Sequence, residues 1–288
     1  MSHTPSPGII TPKLKANTIV NMIKKGIRSS GRGLTDYRPI DVVVGYVQNA
    51  DGSALVRLGN TVVVAGVKLE VGSPYPDTPN EGALIVNAEF MPAASPTFEP
   101  GPPDENAIEL ARVIDRALRE LKAIDMSKLA IVPGRRVWII YVDIYVLDHD
   151  GNLVDASSIA TLSALLNTTL PKVEVDESGN VRVEKNIRMS PLPINHKVVT
   201  VTVAKVENVL FIDPDLDEEG VIETKLVIAV SDDSRIAGIQ KSGSGGLTEA
   251  EILAALDIAL KTGVSLIKTI ESRVLEPTLG LSTNTLGQ

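Results

Sequence analysis

What most constrains this chain is the order in which two hydrophobic periods succeed one another. Apolar, β-branched residues cluster in "DVVVGYVQ", "ALVRL", "TVVVAGVKLEV" and "ALIVNAEF", four runs of strand length. Residues 105–123, "ENAIELARVIDRALRELKA", then switch to helical spacing, with Ile108, Ala111, Val113, Ile114, Ala117, Leu118 and Leu121 on the apolar side. "RVWIIYVDIYVL" returns to a strand. "DASSIATLSALLNTT" reads as a helix of small residues suited to close packing, with Asp155 placed to cap it. Beyond residue 190 the order recurs: "KVVTVTVAKV", "VLFI", "ETKLVIAVS" and "RIAGIQKS" are strands, and residues 247–272 form a long helix opened by the capping box Thr248-x-x-Glu251. Four strands and then a helix, twice, predict an α+β fold of two related halves, each a β-sheet with helices packed on one side. The expected limits are a leader and short helix over 1–30, a first half over 31–190 and a second over 191–288.

The punctuation fits this division. Residues 14–28 place Ile19, Met22, Ile23 and Ile27 on one helical face, and "SSGRGLTDYRPI" ends that helix with Ser, Gly and an Arg-Pro step. Asp51-Gly52 and Gly59-Asn60 predict tight hairpins. The segment 91–104, "MPAASPTFEPGPPD", holds five prolines and cannot be a regular element; so long a loop points to a functional or interface role.

Composition narrows the class. At 43% hydrophobic and 22% charged residues the chain is globular, and no apolar run approaches the roughly 18 residues of a membrane helix. Without cysteine there is no disulfide framework, thiolate metal site or cysteine nucleophile. The start lacks a secretory signal, so an intracellular, cytoplasmic location is expected and no membrane partner. A net charge of −8 excludes nucleic-acid binding by average surface potential; contact requires a local basic patch.

Four features could carry chemistry. "DPDLDEEG" packs five carboxylates into the seven residues Asp213–Glu219. The 1-3-5 spacing of Asp213, Asp215 and Asp217 resembles a calcium loop, but the required Gly and bidentate Glu are replaced by Glu218 and Thr224, which leaves a solvated turn between strands as the favoured reading. "QKSGSGGLTE" lacks the GK[ST] of a phosphate loop and reads first as a strand-to-helix turn. His3, His149 and His196 share no ligand spacing, so no metal or other cofactor is implied. Arg112, Arg116 and Arg119 stand at i, i+4 and i+7 of one helix; the first two are about 6 Å apart along its axis, near the phosphate spacing of an extended strand. Such a row either contacts phosphates or is an ordinary solvated face paired with Glu109, Asp115 and Glu120.

Several stretches together resemble the RNase PH family. "GRGLTDYRPI" is similar to its G-R-x-x-x-[DE]-x-R-P-[IL] motif, "GNTVVVAGVKLEV" to the following hairpin, "PPDENAIELARVIDRALREL" to its first long helix and "LTEAEILAALDIAL" to its closing helix. The resemblance implies the family's fold and phosphate-driven degradation of RNA from the 3′ end. Active members open the first long helix with an Arg-Arg pair; the matching places here hold Glu105 and Asn106. Active members also carry two acids spaced as E-D-x-x-x-x-x-D; the matching places hold Glu219 and Lys225. These departures resemble the non-catalytic ring subunit of the archaeal exosome, which has no catalytic residues of its own. That resemblance implies an alternating hetero-hexamer with a catalytic RNase PH-like subunit, RNA-binding cap subunits, and arginines (Arg112, Arg116, Arg119) lent to the path of single-stranded RNA. An active phosphorolytic exoribonuclease and a ring subunit without RNA contact are the rival readings.

Overall fold

A computed structural model describes residues 13–275; the leader before Lys13, with His3, lies outside the described residues. The first helix, α1 (Lys13–Lys24), buries Ile19 and Ile23. The strands β1 (Ile40–Val44), β2 (Gly52–Leu58), β3 (Thr61–Gly72), β4 (Ala83–Phe90), β5 (Ala130–Val132) and β6 (Arg136–Asp148) form one sheet in the order β1-β2-β3-β6-β4, with β5 on β6. Only β4 runs parallel to its neighbour β6, and the connection between them carries α2 (Glu105–Glu120). Helix α3 (Leu153–Asn167) follows β6, and β7 (Thr169–Val175) and β8 (Val181–Pro191) make a separate hairpin. The second sheet, order β10-β9-β11-β12, is built from β9 (Val198–Val206), β10 (Val209–Ile212), β11 (Thr224–Ser231) and β12 (Ile236–Ser242). A single turn, α4 (Leu216–Glu219), precedes β11, and α5 (Glu249–Leu275) closes the described chain.

Side-chain alternation explains how the layers stack. On β11, Leu226, Ile228 and Val230 point toward Ala255 and Ala259 of α5, while the residues between them face the first half of the chain. Helices α2 and α3 therefore lie between the two sheets, α3 touching β2 and β3 on one side and β9 on the other. The second sheet is thus covered on both faces, whereas helices on one side alone were expected. Helix α3 can be buried along nearly its whole length because Ala156, Ser157, Ala160, Ser163 and Ala164 are small.

Two turn expectations resolve differently. Gly59 takes φ +60° and joins β2 to β3 through two residues, as its pair with Asn60 predicts. Asp51-Gly52 is no tight hairpin: β1 and β2 are joined by residues 45–51, and Gly52 opens β2 where any Cβ would stand 2.6 Å from the Ala164 carbonyl oxygen. Glycine is needed there because α3 crosses the strand closely. The N-cap of α3 is also not Asp155. Asn152, at φ +51°, precedes the helix, and Asp155 sits inside its first turn, fully buried. There it accepts bonds from Tyr37 Oη (2.8 Å), Asn152 Nδ2 (2.9 Å), Thr200 Oγ1 (2.8 Å), and the Thr202 N–H and Oγ1 (2.9 Å each). Burial pushes this carboxyl above its usual range, against the pull of those donors.

Candidate functional site

A cleft of about 510 Å³ opens where the end of β4, the start of α2, the β6–α3 connection, α4 and β11 meet. Each wall has a local cause. Asp104 caps α2 by accepting from Ala107 N–H at 2.8 Å, which sets Glu105 and Asn106 in the first turn, both exposed to the cleft. The proline-rich loop ends β4 and lays Phe98 between Phe90 (ring centroids 4.8 Å apart) and His149 (5.3 Å). Glu219 is the last residue of α4, and Lys225 is the second residue of β11, on the strand face away from α5. The positions singled out as degenerate in the sequence, Glu105, Asn106, Glu219 and Lys225, therefore share one cavity.

Its electrostatics follow from the lining. Lys225 Nζ lies 3.5 Å from Glu219 Oε1, which also accepts the Asn152 N–H at 3.2 Å. Burial lowers the pKa of His149, and its Nδ1 accepts the Gly151 N–H at 3.3 Å, so the ring is neutral at pH 7. Asp104, Glu105, Glu109 and Glu219 against Lys225 leave a formal charge of −3. Such a cavity repels an inorganic phosphate dianion, and its one cation is already paired.

The acid cluster beside it is not the solvated turn expected of it. Asp213 and Glu218 are fully buried and bonded to arginines from residues 28–38. Arg38 donates to Asp213 through its backbone N–H (2.8 Å), Nε (3.0 Å) and an Nη (2.8 Å), and Arg32 adds a fourth bond at 2.8 Å. Arg28 is bonded to Glu218 and to the carbonyls of Ile212 (2.7 Å) and Asp213 (2.8 Å), over the ring of Phe211 at 4.9 Å. Asp215 caps α4 in a reciprocal box with Glu218. The run of carboxylates is solvated only in part because it meets three arginines that lie far away in sequence.

The family model for the 3′ exoribonuclease family (RNase PH), domain 1, matches residues 36–171, and that for domain 2 matches 196–262. The chain belongs to the RNase PH family. It is 52% identical over 274 residues to the exosome complex component Rrp42 of Saccharolobus islandicus, which covers 95% of this chain and 99% of the relative, and 51% identical to the Rrp42 of Saccharolobus solfataricus. Among solved structures it is similar to a chain of the Archaeoglobus fulgidus exosome with RNA bound to the active site (43% identity, TM-score 0.81, 89% of this chain and 98% of that one). A chain of an archaeal exosome core gives 38% identity and a TM-score of 0.77 over 90% of this chain and 97% of that one.

In this RNase PH chain the arginine row is not uniform. Arg112 is exposed and makes no hydrogen bond or ion pair among the described residues. Arg116 donates to Gln240 Oε1 of β12 at 2.6 Å, and Gln240 in turn donates to Glu109 Oε1 at 3.0 Å. Arg119 is held by Asp115 (2.6 Å) one turn back and by the Leu84 carbonyl (2.9 Å). The glycine-rich loop behaves as a turn, Gly245 N–H donating to the Glu223 carbonyl at 2.9 Å. Sequence reasoning missed Phe98, Asn152 and Arg28, and it met Arg32 and Arg38 only as letters of a motif, because their roles depend on distant contacts. Among the described residues, the one trio close enough to share a metal ion is His196, Asp232 and Asp233, outside the cleft, where Arg235 already lies 2.7 Å from Asp233 and 2.8 Å from His196.

Proposed function

We propose that the chain is a non-catalytic ring subunit of an exosome, a phosphorolytic 3′-to-5′ RNA-degrading complex. In this reading it alternates with a catalytic RNase PH-like subunit in a hetero-hexamer that carries RNA-binding cap subunits, in the cytoplasm. The observation that carries the proposal is Lys225 paired to Glu219 in a cleft whose helix opens with Glu105 and Asn106. Phosphorolysis needs free cations to hold the attacking phosphate and a free carboxylate to act as acid or metal ligand; here the one cation, Lys225, and the acid of the matching segment, Glu219, are engaged with each other. The similarity to exosome components over nearly the whole chain supports the same assignment.

The chain's share of the work then lies on α2. Arg112, with no partner among the described residues, and Arg116, held toward β12 by one neutral bond, are the cations of α2 available to phosphates of single-stranded RNA; Arg119 contributes less, because Asp115 shares its charge. The test is purification with and without a co-expressed catalytic partner, followed by mass measurement and RNA decay in phosphate and Mg²⁺. A hetero-hexamer active only with the partner is expected. Nucleoside diphosphate release by the isolated chain, abolished by Glu219→Gln, would overturn the proposal in favour of an active enzyme.

A further inference from the structure

The exposed side of α2 is tied to the second sheet through a single amide. Gln240 stands on the edge strand β12, opposite Val227 of β11, and reaches α2 with both ends of its side-chain amide. Its Oε1 accepts from Arg116 Nη2 at 2.6 Å, and its Nε2 donates to Glu109 Oε1 at 3.0 Å. Glu109 and Arg116 are two helical turns apart, about 10 Å along the axis, and the amide stands between them. Only a neutral group with one acceptor and one donor suits this place. A flipped amide would set N–H against a guanidinium and oxygen against a carboxylate, so the neighbours fix its orientation. Glutamate would satisfy Arg116 and repel Glu109, and lysine would do the reverse.

The consequence is for the charge of Arg116. Glu120 follows it at i+4, the spacing at which a helix forms ion pairs, and both line a groove of about 190 Å³ between α2 and β12. Among the described residues Arg116 nevertheless makes no ion pair and is bonded only to the neutral amide. Arg119 shows the other outcome: Asp115, at the same spacing, holds it at 2.6 Å. A neutral partner leaves the charge of Arg116 uncancelled, and with one of its five N–H donors engaged, four remain for a phosphate. We infer that Gln240 is a positioning residue of the RNA path: it holds Arg116 toward β12 and away from Glu120, so that the guanidinium meets RNA with its charge intact. The inference deepens the reading of Arg116 as a phosphate contact and rests on it.

The test is fluorescence anisotropy of a labelled oligoadenylate bound to the ring purified with its catalytic partner, without phosphate or Mg²⁺, over a range of salt. Arg116→Ala should flatten the slope of log affinity against log salt by about 0.7, the value of one phosphate contact. Gln240→Leu releases Arg116 to Glu120 and should weaken binding about three- to tenfold, the cost of ordering one long side chain anew. Glu120→Gln should recover most of that loss in the Gln240→Leu background, while in the otherwise unchanged ring it should alter affinity by about twofold or less. Gln240→Glu, of equal size, offers Arg116 an anion and should flatten the slope as Arg116→Ala does. A ring in which Arg116→Ala flattens the slope overturns the inference alone if Gln240→Leu keeps its affinity, if Glu120→Gln recovers nothing, or if Gln240→Glu keeps the original slope. An Arg116→Ala ring with unchanged affinity and slope removes the RNA contact itself, and the inference with it.

Discussion

Replacing Asp213 by Ala separates a buried keystone from a solvated turn residue. Asp213 is fully buried and accepts three bonds from Arg38, one from Arg32 Nη1 and one from Asn152 Nδ2 at 2.8 Å. Its removal leaves the Arg38 and Arg32 side chains, only 7% and 11% exposed, without their shared anion. Breaking a buried pair from one side costs about 3–5 kcal/mol. At about 2–4 °C per kcal/mol for a chain of this size, the midpoint should fall by roughly 6–20 °C. Asp217 in the same cluster provides the control: its bond to Lys15 (2.6 Å) joins groups 48% and 53% exposed, so Asp217→Ala should change stability by about 0.5 kcal/mol or less. Thermal unfolding by circular dichroism at pH 7 reads both. The pH dependence has a definite sign. The Arg38 bonds hold Asp213 below 3.8 despite its burial, so its contribution is complete above that value and is lost as pH falls through the lower folded pKa. Equal midpoints for Asp213→Ala and Asp217→Ala would refute the reasoning and return the cluster to a solvated turn.

Arg112→Glu with Arg116→Glu should leave ring assembly intact and slow RNA decay by the complex; the slope of log affinity against log salt should flatten by about 0.7 per lost phosphate contact, and coincident slopes would reduce the row to a solvated face. Lys225→Asp alone should leave the isolated chain inactive in a phosphorolysis assay, because Glu105 and Asn106 still offer no cation for phosphate. Gly52→Ala should lower the unfolding midpoint by several degrees, since its Cβ would lie 2.6 Å from the Ala164 carbonyl oxygen and overpacking there costs about 1–3 kcal/mol.

What could be read from the sequence was whatever depends on local periodicity. Ala111, Val113, Ile114, Ala117 and Leu118 specify the buried face of α2, although Ile108, expected beside them, stands 49% exposed, and the apolar runs of β9 and β11 specify strands buried on both faces. Thr248 and Glu251 form their reciprocal cap as the spacing predicts. What could not be read depends on contacts across 40 to 190 residues. The cap position of Asp155 looked plausible because a short acid before a helix usually serves there. Only the approach of Thr200 and Thr202, 45 and 47 residues away, makes it a buried acceptor. The partners of Glu218, 190 residues from Arg28, were equally invisible. The hairpin of β7 and β8, with Pro171 inside its first strand, carried no pattern strong enough to announce it.

The fold divides five adjacent carboxylates among different tasks, and that division bears on what the family motif can mean. Asp213 and Glu218 pair with Arg28, Arg32 and Arg38; Asp215 caps α4; Asp217 pairs at the surface with Lys15; of the five, Glu219 alone lines the cleft. Arg32 and Arg38 belong to "GRGLTDYRPI", so that motif serves here to clamp the segment leading into β1 onto the loop before α4. A clamp of this kind holds the cleft in shape, reaching its wall through the bond from Asn152 to Asp213, while none of its arginines lines the cavity. The motif can therefore be shared by subunits whose chemistry differs, and it bears on fold rather than activity. In the proposed reading, activity turns on groups the clamp positions but does not choose, at the start of α2 and the start of β11. Both departures lower the cleft's capacity for phosphate, one by withholding positive charge and the other by tying the remaining acid to a lysine, and neither could be offset by repairing the other alone.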